Sequence, residues 1–370
     1  MTLLIGLFSP IVDPSGLRAE FPVLGELAYL NAGTDGPLPA AAVEATQAEL
    51  ELELAAGRAM AHFERRRELS DGLRAAYSRA LRCDPQDLAL TTCTTEGMGH
   101  VVMGLELAPG DEILTSDEEH PGLLGALAAA RDIKGASVRT VPLARIAEEV
   151  GPATRLVACS HVGWVSGSFA PAALAEVEVP VLLDGAQGAG AVDVDVTTLG
   201  CDAYAGAGQK WCCGPDGTGS LWVSPALRPR LAVSRRGYGN LADANEGLDA
   251  KPHEDGRRFD APSLSAETVA CALAAAEVLE GFGWPAVWER GRMLAARLAE
   301  MLAAHGFEVG PRGPSTLVSF TVADPEGDRA RLAEQGVVVR NIPGRPWLRA
   351  SVGAWNSEDD LERLVALLPR

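Results

Sequence analysis

The chain has three lysines, Lys134, Lys210 and Lys251, so chemistry that needs a primary amine has three candidates. Lys210 differs from the others in its setting. The segment DAYAGAGQKWCCGPDGTGSLWVS places it in a glycine-rich turn directly after an apparent strand. Upstream, the apolar run VPVLLDGAQGAGAV carries Asp184 at its end, followed by Gln187. A carboxylate at a strand end is, alone, an ordinary helix cap. Paired with a turn-borne lysine it offers more: an amine holds an aldehyde as a Schiff base, and a carboxylate keeps the nitrogen of a pyridine ring protonated. Two further segments follow strand-like runs. In LTTCTTEGMGHVV, Thr94 and Thr95 open a helix whose N–H groups and threonine hydroxyls suit a phosphate. In DEEHPG, His120 presents a flat imidazole that can stack on a cofactor ring.

Such residues need a scaffold that brings strand ends together. Between about residues 40 and 230, the runs DLALTTC, DEILTS, SVRTVPL, TRLVACSHV, VPVLLDGA, CDAYAGAG and GSLWVS are spaced as strands separated by helices. That pattern predicts an α/β domain with a mostly parallel sheet flanked by helices. Ligands in such sheets bind beyond the carboxyl ends of the strands, where Asp117, His120, Ser160, Asp184 and Lys210 are expected to cluster. After an irregular stretch come amphipathic helices at Ala266–Glu280 and Trp284–His305. The runs PSTLVSFTVA, VVVRNI and WLRASVG and a closing helix DDLERLVALL follow. The expected division is an N-terminal segment 1–29 packing on the small domain, a large domain 30–255, and a smaller C-terminal α+β domain 256–370.

Composition removes several classes of function. With 370 residues, 47% of them hydrophobic and 22% charged, the chain is long enough for a substantial core and is neither disordered nor a coiled coil. A net charge of −18 leaves no basic field for nucleic acid or an anionic membrane. The opening MTLLIGLFSPIV is apolar but lacks a basic leader and a small-residue cleavage site and is too short to span a bilayer, so a cytoplasmic protein is expected. Seven cysteines with no C-x-x-C pair fit reduced thiols.

These elements in this order, with SHVGWVSG between them, resemble the class V aminotransferase and cysteine desulfurase family of pyridoxal-phosphate (PLP) enzymes, fold type I. The resemblance runs from YLNAGTDGPLP to LRASVGAWNSEDDLERLVALL, and the pairing of D-G-A-Q with Q-K-W…G-P-x-G-x-G is specific. It implies that Lys210 holds the cofactor and shuttles the proton at the substrate Cα. It further implies that Asp184 partners the pyridine nitrogen, Gln187 donates to the ring hydroxyl, His120 stacks on the ring, and Thr94 and Thr95 cradle the phosphate. A homodimer is implied as well, the segment RRFDAPSLS bringing Ser263 to the partner's phosphate site. Ala207 departs from the family's usual serine or threonine. Gln209 stands where the family usually has histidine and Trp164 where it has asparagine. These last two changes point to the C–S lyase and isopenicillin-epimerase-like branch.

A cysteine desulfurase needs a nucleophilic cysteine shortly before the terminal substrate-binding arginine, and the chain has none after Cys271. Cys212 and Cys213 are the nearest substitutes. The stretch VVVRNIPGRPWLRASVG instead holds Arg340, Arg345 and Arg349. The resemblance assigns Arg349 to the substrate carboxylate, a contact that guanidinium geometry suits. Arg340, nine positions earlier, matches the second arginine of the family's cystine and cysteine C–S lyases. Asn31 and Trp164 are expected on the substrate side. The reading is a C–S lyase that converts a cysteine-derived substrate to pyruvate and ammonia. Alternatives are an isopenicillin-N-epimerase-like epimerase or a class V aminotransferase. A non-catalytic PLP-fold scaffold would need neither Lys210 nor Asp184.

Overall fold

A computed structural model describes residues 13–369; the apolar opening MTLLIGLFSPIV lies outside them. The chain begins with α1 (Pro14–Ala19) and β1 (Ala28–Tyr29), followed by the helices α2 (Ala40–Ala56) and α3 (Met60–Leu81). Strands and helices alternate only at first: β2 (Leu88–Thr91), α4 (Thr94–Gly104), β3 (Glu112–Ser116), α5 (Pro121–Lys134) and β4 (Ser137–Val141). They are followed by β5 (Thr154–Ser160), β6 (Val181–Asp184), β7 (Ala203–Ala207) and β8 (Gly219–Val223) with short 3-10 turns and loops, not the expected helices, between them. The C-terminal part holds α6 (Ala266–Phe282), α7 (Trp284–Ala304), β9 (Leu317–Thr321), α8 (Pro325–Glu334), β10 (Val337–Val338), β11 (Arg340–Ile342), β12 (Trp347–Ser351) and α9 (Glu358–Leu367).

Strands β2 to β8 form one seven-stranded sheet in the order β2-β8-β7-β6-β5-β3-β4. All of its pairings are parallel except those of β8, which runs against both β2 and β7. The buried runs expected of a sheet covered on both faces are present: every residue of β6, β7 and β8 is buried. Because successive side chains point to opposite faces, neighbours divide between two cores. Leu182 and Leu221 pack with Val101 and Val102 of α4 and with Leu123 and Leu127 of α5. Leu183 and Tyr204 pack on the other side with Leu73, Tyr77 and Leu81 of α3.

A third core gathers Leu294, Leu298 and Leu302 of α7 with Val318, Phe320 and Leu348 of an antiparallel sheet ordered β11-β12-β9. Helix α6, placed by the sequence at the start of the smaller domain, packs on α2 and α3, and its Val269, Ala272, Ala276 and Leu279 join the core of the large sheet. The chain turns by 82° between α6 and α7. Residues 13–29 join both parts: Phe21 packs on Trp355, Arg18 pairs with Asp360, and β1 pairs in parallel with β10. Among the described residues no single helix is long and apolar enough to cross a membrane.

Candidate active site

The carboxyl ends of the sheet open onto a cavity of ≈210 Å³. Its lining includes Thr94, Thr95, His120, Trp164, Asp184, Gln209, Lys210 and Arg340. Each arrives by a separate element. Asp184 ends β6 and is 4% exposed. Lys210 sits on the turn that follows β7. His120 caps α5, its Nδ1 accepting the Gly122 N–H at 3.0 Å. Thr94 and Thr95 form the first turn of α4, whose opening N–H groups are capped by no side chain. Gly97 lets that turn lie close on the sheet, since a Cβ there would stand 3.2 Å from the Ala205 Cβ.

Burial sets the protonation of these groups. It brings the Lys210 amine down to about 8; Asp184 opposes the shift, and Arg349 adds to it. Burial also raises the Asp184 carboxyl, against the pull of Lys210 and the Ala186 N–H. His120 is pushed down to about 4 by burial and by the cations Lys210, Arg340 and Arg349, so its ring is neutral at pH 7. An edge-to-face contact with Trp164, centroids 5.2 Å apart, helps fix that ring.

The two arginines expected at the substrate carboxylate are directly opposed on β11 and β12. Arg340 lines the cavity, donates to Thr34 Oγ1 at 3.2 Å and lies over the Trp164 ring. Arg349 is wholly buried. Its Nη1 donates to the Trp164 carbonyl at 2.7 Å, while Nε and Nη2 are without partners among the described residues. Burial and Arg340 lower its guanidinium to about 9.

Several expected residues stand elsewhere. Asp117 and Ser160 sit at strand ends but not on the cavity: Asp117 accepts the Leu143 N–H, and Ser160 donates to Glu119 through both its N–H and its hydroxyl. Gln187 lies behind the wall, donating to the Gly33 carbonyl at 2.7 Å and accepting from Trp211 Nε1 at 3.0 Å. Asn31 holds the Thr34 hydroxyl at 2.8 Å and bridges to Ser351. Ser263 is exposed on the segment before α6. Ala207 borders a separate small void with Tyr77, Cys212 and Ser220. Cys212 and Cys213 are buried away from the cavity, and burial pushes both thiols up, that of Cys212 to about 12. The cysteine on the cavity wall is Cys93, beside Met98 and the loop residues Gly33, Thr34 and Asp35. The sequence reading assigned none of these five a task.

The donor set suits PLP: an uncapped helix N-terminus for its phosphate, a buried carboxylate facing a lysine, and a neutral imidazole on the wall. Comparison with known proteins agrees. Over 96% of this chain and 98% of its own length, a probable cysteine desulfurase of Pseudomonas aeruginosa is 30% identical. An isopenicillin N epimerase of Amycolatopsis lactamdurans is also 30% identical, over 92% and 94%. Among solved structures, the cystine C–S lyase C-DES in complex with its reaction product cysteine persulfide superposes with a TM-score of 0.88 at 28% identity, covering 94% of this chain and 98% of that one. The Escherichia coli cysteine desulfurase CsdA gives 0.85 at 26% identity, over 96% and 97%. Residues 28–364 match the family model described as aminotransferase class-V. A cavity built for a ring and a phosphate thus coincides with a match across nearly the whole chain, which belongs to the class-V aminotransferase family of PLP-dependent enzymes.

Proposed function

We propose that the protein is a C–S lyase that eliminates the β-sulfur group of a cysteine-derived α-amino acid, giving a thiol, pyruvate and ammonia. The observation that carries this reading is the buried Arg349, with two unpartnered nitrogens, opposed to Arg340 at the cavity. A buried cation without a counter-ion is costly unless an anion completes it, and an α-carboxylate fits the guanidinium fork. The absence of any cysteine between Cys271 and Arg349 supports elimination over desulfuration.

PLP bound in this cavity supplies the electron sink for the carbanion left at the substrate Cα. Lys210 Nζ, which burial brings down to about 8, takes the Cα proton and passes it to the departing sulfur. Asp184 holds the proton of the ring nitrogen, and His120 keeps a flat, uncharged face on the cavity wall. Thr94, Thr95 and the first turn of α4 hold the phosphate. Arg349 and Arg340 fix the carboxylate and so orient the Cα–H bond. The Cβ–S bond then breaks with its electron pair on sulfur, which takes up a proton. The released enamine hydrolyses to pyruvate and ammonia.

Epimerisation at Cα is the second reading, favoured by the isopenicillin N epimerase relative. It needs the same proton removal with return to the opposite face. Both readings include a homodimer in which Ser263, exposed on this subunit, completes the neighbour's phosphate site. Incubation of the holoenzyme with cystine and S-substituted cysteines, followed by pyruvate, thiol and Cα–deuterium assays, tests the choice. Pyruvate formed one for one with thiol from an S-substituted cysteine, or with persulfide from cystine, supports the lyase. Exchange without pyruvate overturns it in favour of epimerisation.

A further inference from the structure

Asp35 is the cavity-lining carboxylate that the reaction above leaves without a task. It sits on the exposed rim, on the loop Gly33–Gly36 that leads away from β1. That loop is held in place. The Asp35 carbonyl accepts the Tyr29 hydroxyl at 2.9 Å, and its N–H donates to the Asn31 carbonyl at 3.2 Å. Gly36 donates to the Gln209 carbonyl at 2.7 Å and is pressed so closely on the Lys210 carbonyl that no Cβ fits. Asp35 is therefore carried at a fixed place relative to Lys210. Its carboxylate is engaged by no hydrogen bond among the described residues; burial and the nearby Asp216 carboxylate raise it, against the pull of Lys210 and Arg340.

The charges in and behind the cavity divide by the part of the substrate each can serve. Arg340 on the wall and Arg349 opposite it on β12 suit the α-carboxylate, Lys210 the Cα proton, and Asp184 the buried floor. Among the described cavity-lining residues, Asp35 offers the carboxylate at the exposed rim, with that of Asp216 near enough to act on it, so this side of the mouth is acidic. We propose that Asp35 is a specificity-determining residue that binds a cationic group at the far end of the substrate, so that the preferred substrates are amino acids with a distal ammonium, such as a disulfide-linked bis-amino acid. This rests on the α-amino-acid reading of the site but not on which bond is broken.

Binding of uncleavable amino acids to the holoenzyme, measured by calorimetry, separates the two questions. The probes are 2,7-diaminoheptanoate and its neutral isostere 2-aminooctanoate, in which a methyl group replaces the distal ammonium; neither has a sulfur leaving group. The wild-type protein is expected to bind the diamino acid on the order of fivefold more tightly, the range of a partly exposed ion pair. Asp35→Asn is expected to bring that ratio close to one, and Asp35→Lys to shift preference towards 2-aminoheptanedioate. The ratio compares two ligands on one protein, so a general loss of folding does not imitate the result. Equal affinities in the wild-type protein, no binding of the diamino acid, or an undiminished ratio in Asp35→Asn would overturn the assignment. An Asp35 residue that held the α-ammonium would weaken both ligands alike, which is the last of these outcomes. Failure to form pyruvate from any sulfur amino acid bears only on the lyase reading.

Discussion

The Arg349 guanidinium donates to the main-chain carbonyl of Trp164, 2.7 Å away, and among the described residues no acidic group acts on it. Two consequences of opposite sign follow. Arg349→Lys loses the planar two-point grip and is expected to lower kcat/KM for α-amino acids by tens-fold, as befits charge-assisted hydrogen bonds of about 1.5–3 kcal/mol. Arg349→Met removes an uncompensated buried charge and is expected to stabilise the ligand-free protein by about 1–4 kcal/mol while abolishing turnover. Steady-state kinetics and calorimetric melting check both. Near-normal kcat/KM in Arg349→Lys would put the carboxylate elsewhere.

Borohydride reduction of the holoenzyme followed by peptide mapping is expected to find the pyridoxyl group on Lys210. Lys134 is occupied, donating to the carbonyls of Met103 and Leu105. Because Asp184 raises the Lys210 amine, Asp184→Asn is expected to shift its titration below about 8. The pH dependence of amine labelling in the apoprotein reports that shift, and an upward shift would contradict it.

His161 is buried, its Nδ1 3.0 Å from the Tyr204 hydroxyl, and burial holds its ring at about 4. Between pH 6.5 and 4 the unfolded chain takes up this proton and the folded one does not, so stability falls as the pH falls through that window. His161→Gln keeps a partner for Tyr204 but cannot titrate. The stability difference between wild type and variant is expected to shift against the wild type by about 3 kcal/mol from pH 7 to pH 4. Denaturant unfolding at several pH values measures it, and a pH-independent difference would refute it.

Turnover of free cysteine is expected to leave no cyanide-labile persulfide on the protein. Burial keeps the thiols of Cys159, Cys212 and Cys213 protonated at neutral pH. Mass spectrometry of the cysteine peptides is the check, with Cys93 watched most closely because it lines the cavity. A stoichiometric persulfide there would restore the desulfurase reading with a different nucleophile.

Light scattering at assay concentrations is expected to show a dimer. A fully active monomer would remove the role given to Ser263.

The large sheet was legible because β6 to β8, and β5 apart from the exposed Arg155, are buried on both faces and therefore read as short runs of mostly apolar and small residues between turns. The antiparallel course of β8 has no local signature, and β1 is a two-residue ladder whose partner lies some 300 positions away. Among the site residues, Lys210, Asp184, His120 and Thr94 were recognisable from residue type and strand-end position. That position did not reveal side-chain direction, which is why Asp117 and Ser160 were expected on the cavity and are not. Asp35 was not found because its placement depends on one chain crossing, the contact of Gly36 with the Lys210 turn.

The parallel pairing of β1 with β10 has a mechanical consequence. Both Asp35 and Arg340 lie a few residues beyond that ladder, on the two chains that leave it, and Arg340 is tied back to the Asp35 loop through Thr34. The two sides of the cavity mouth are therefore joined twice, by the ladder and by the Arg340–Thr34 hydrogen bond. The Asp35 side rests through Gly36 on the Lys210 turn, so the rim and the turn that carries the buried amine are anchored on one set of backbone contacts.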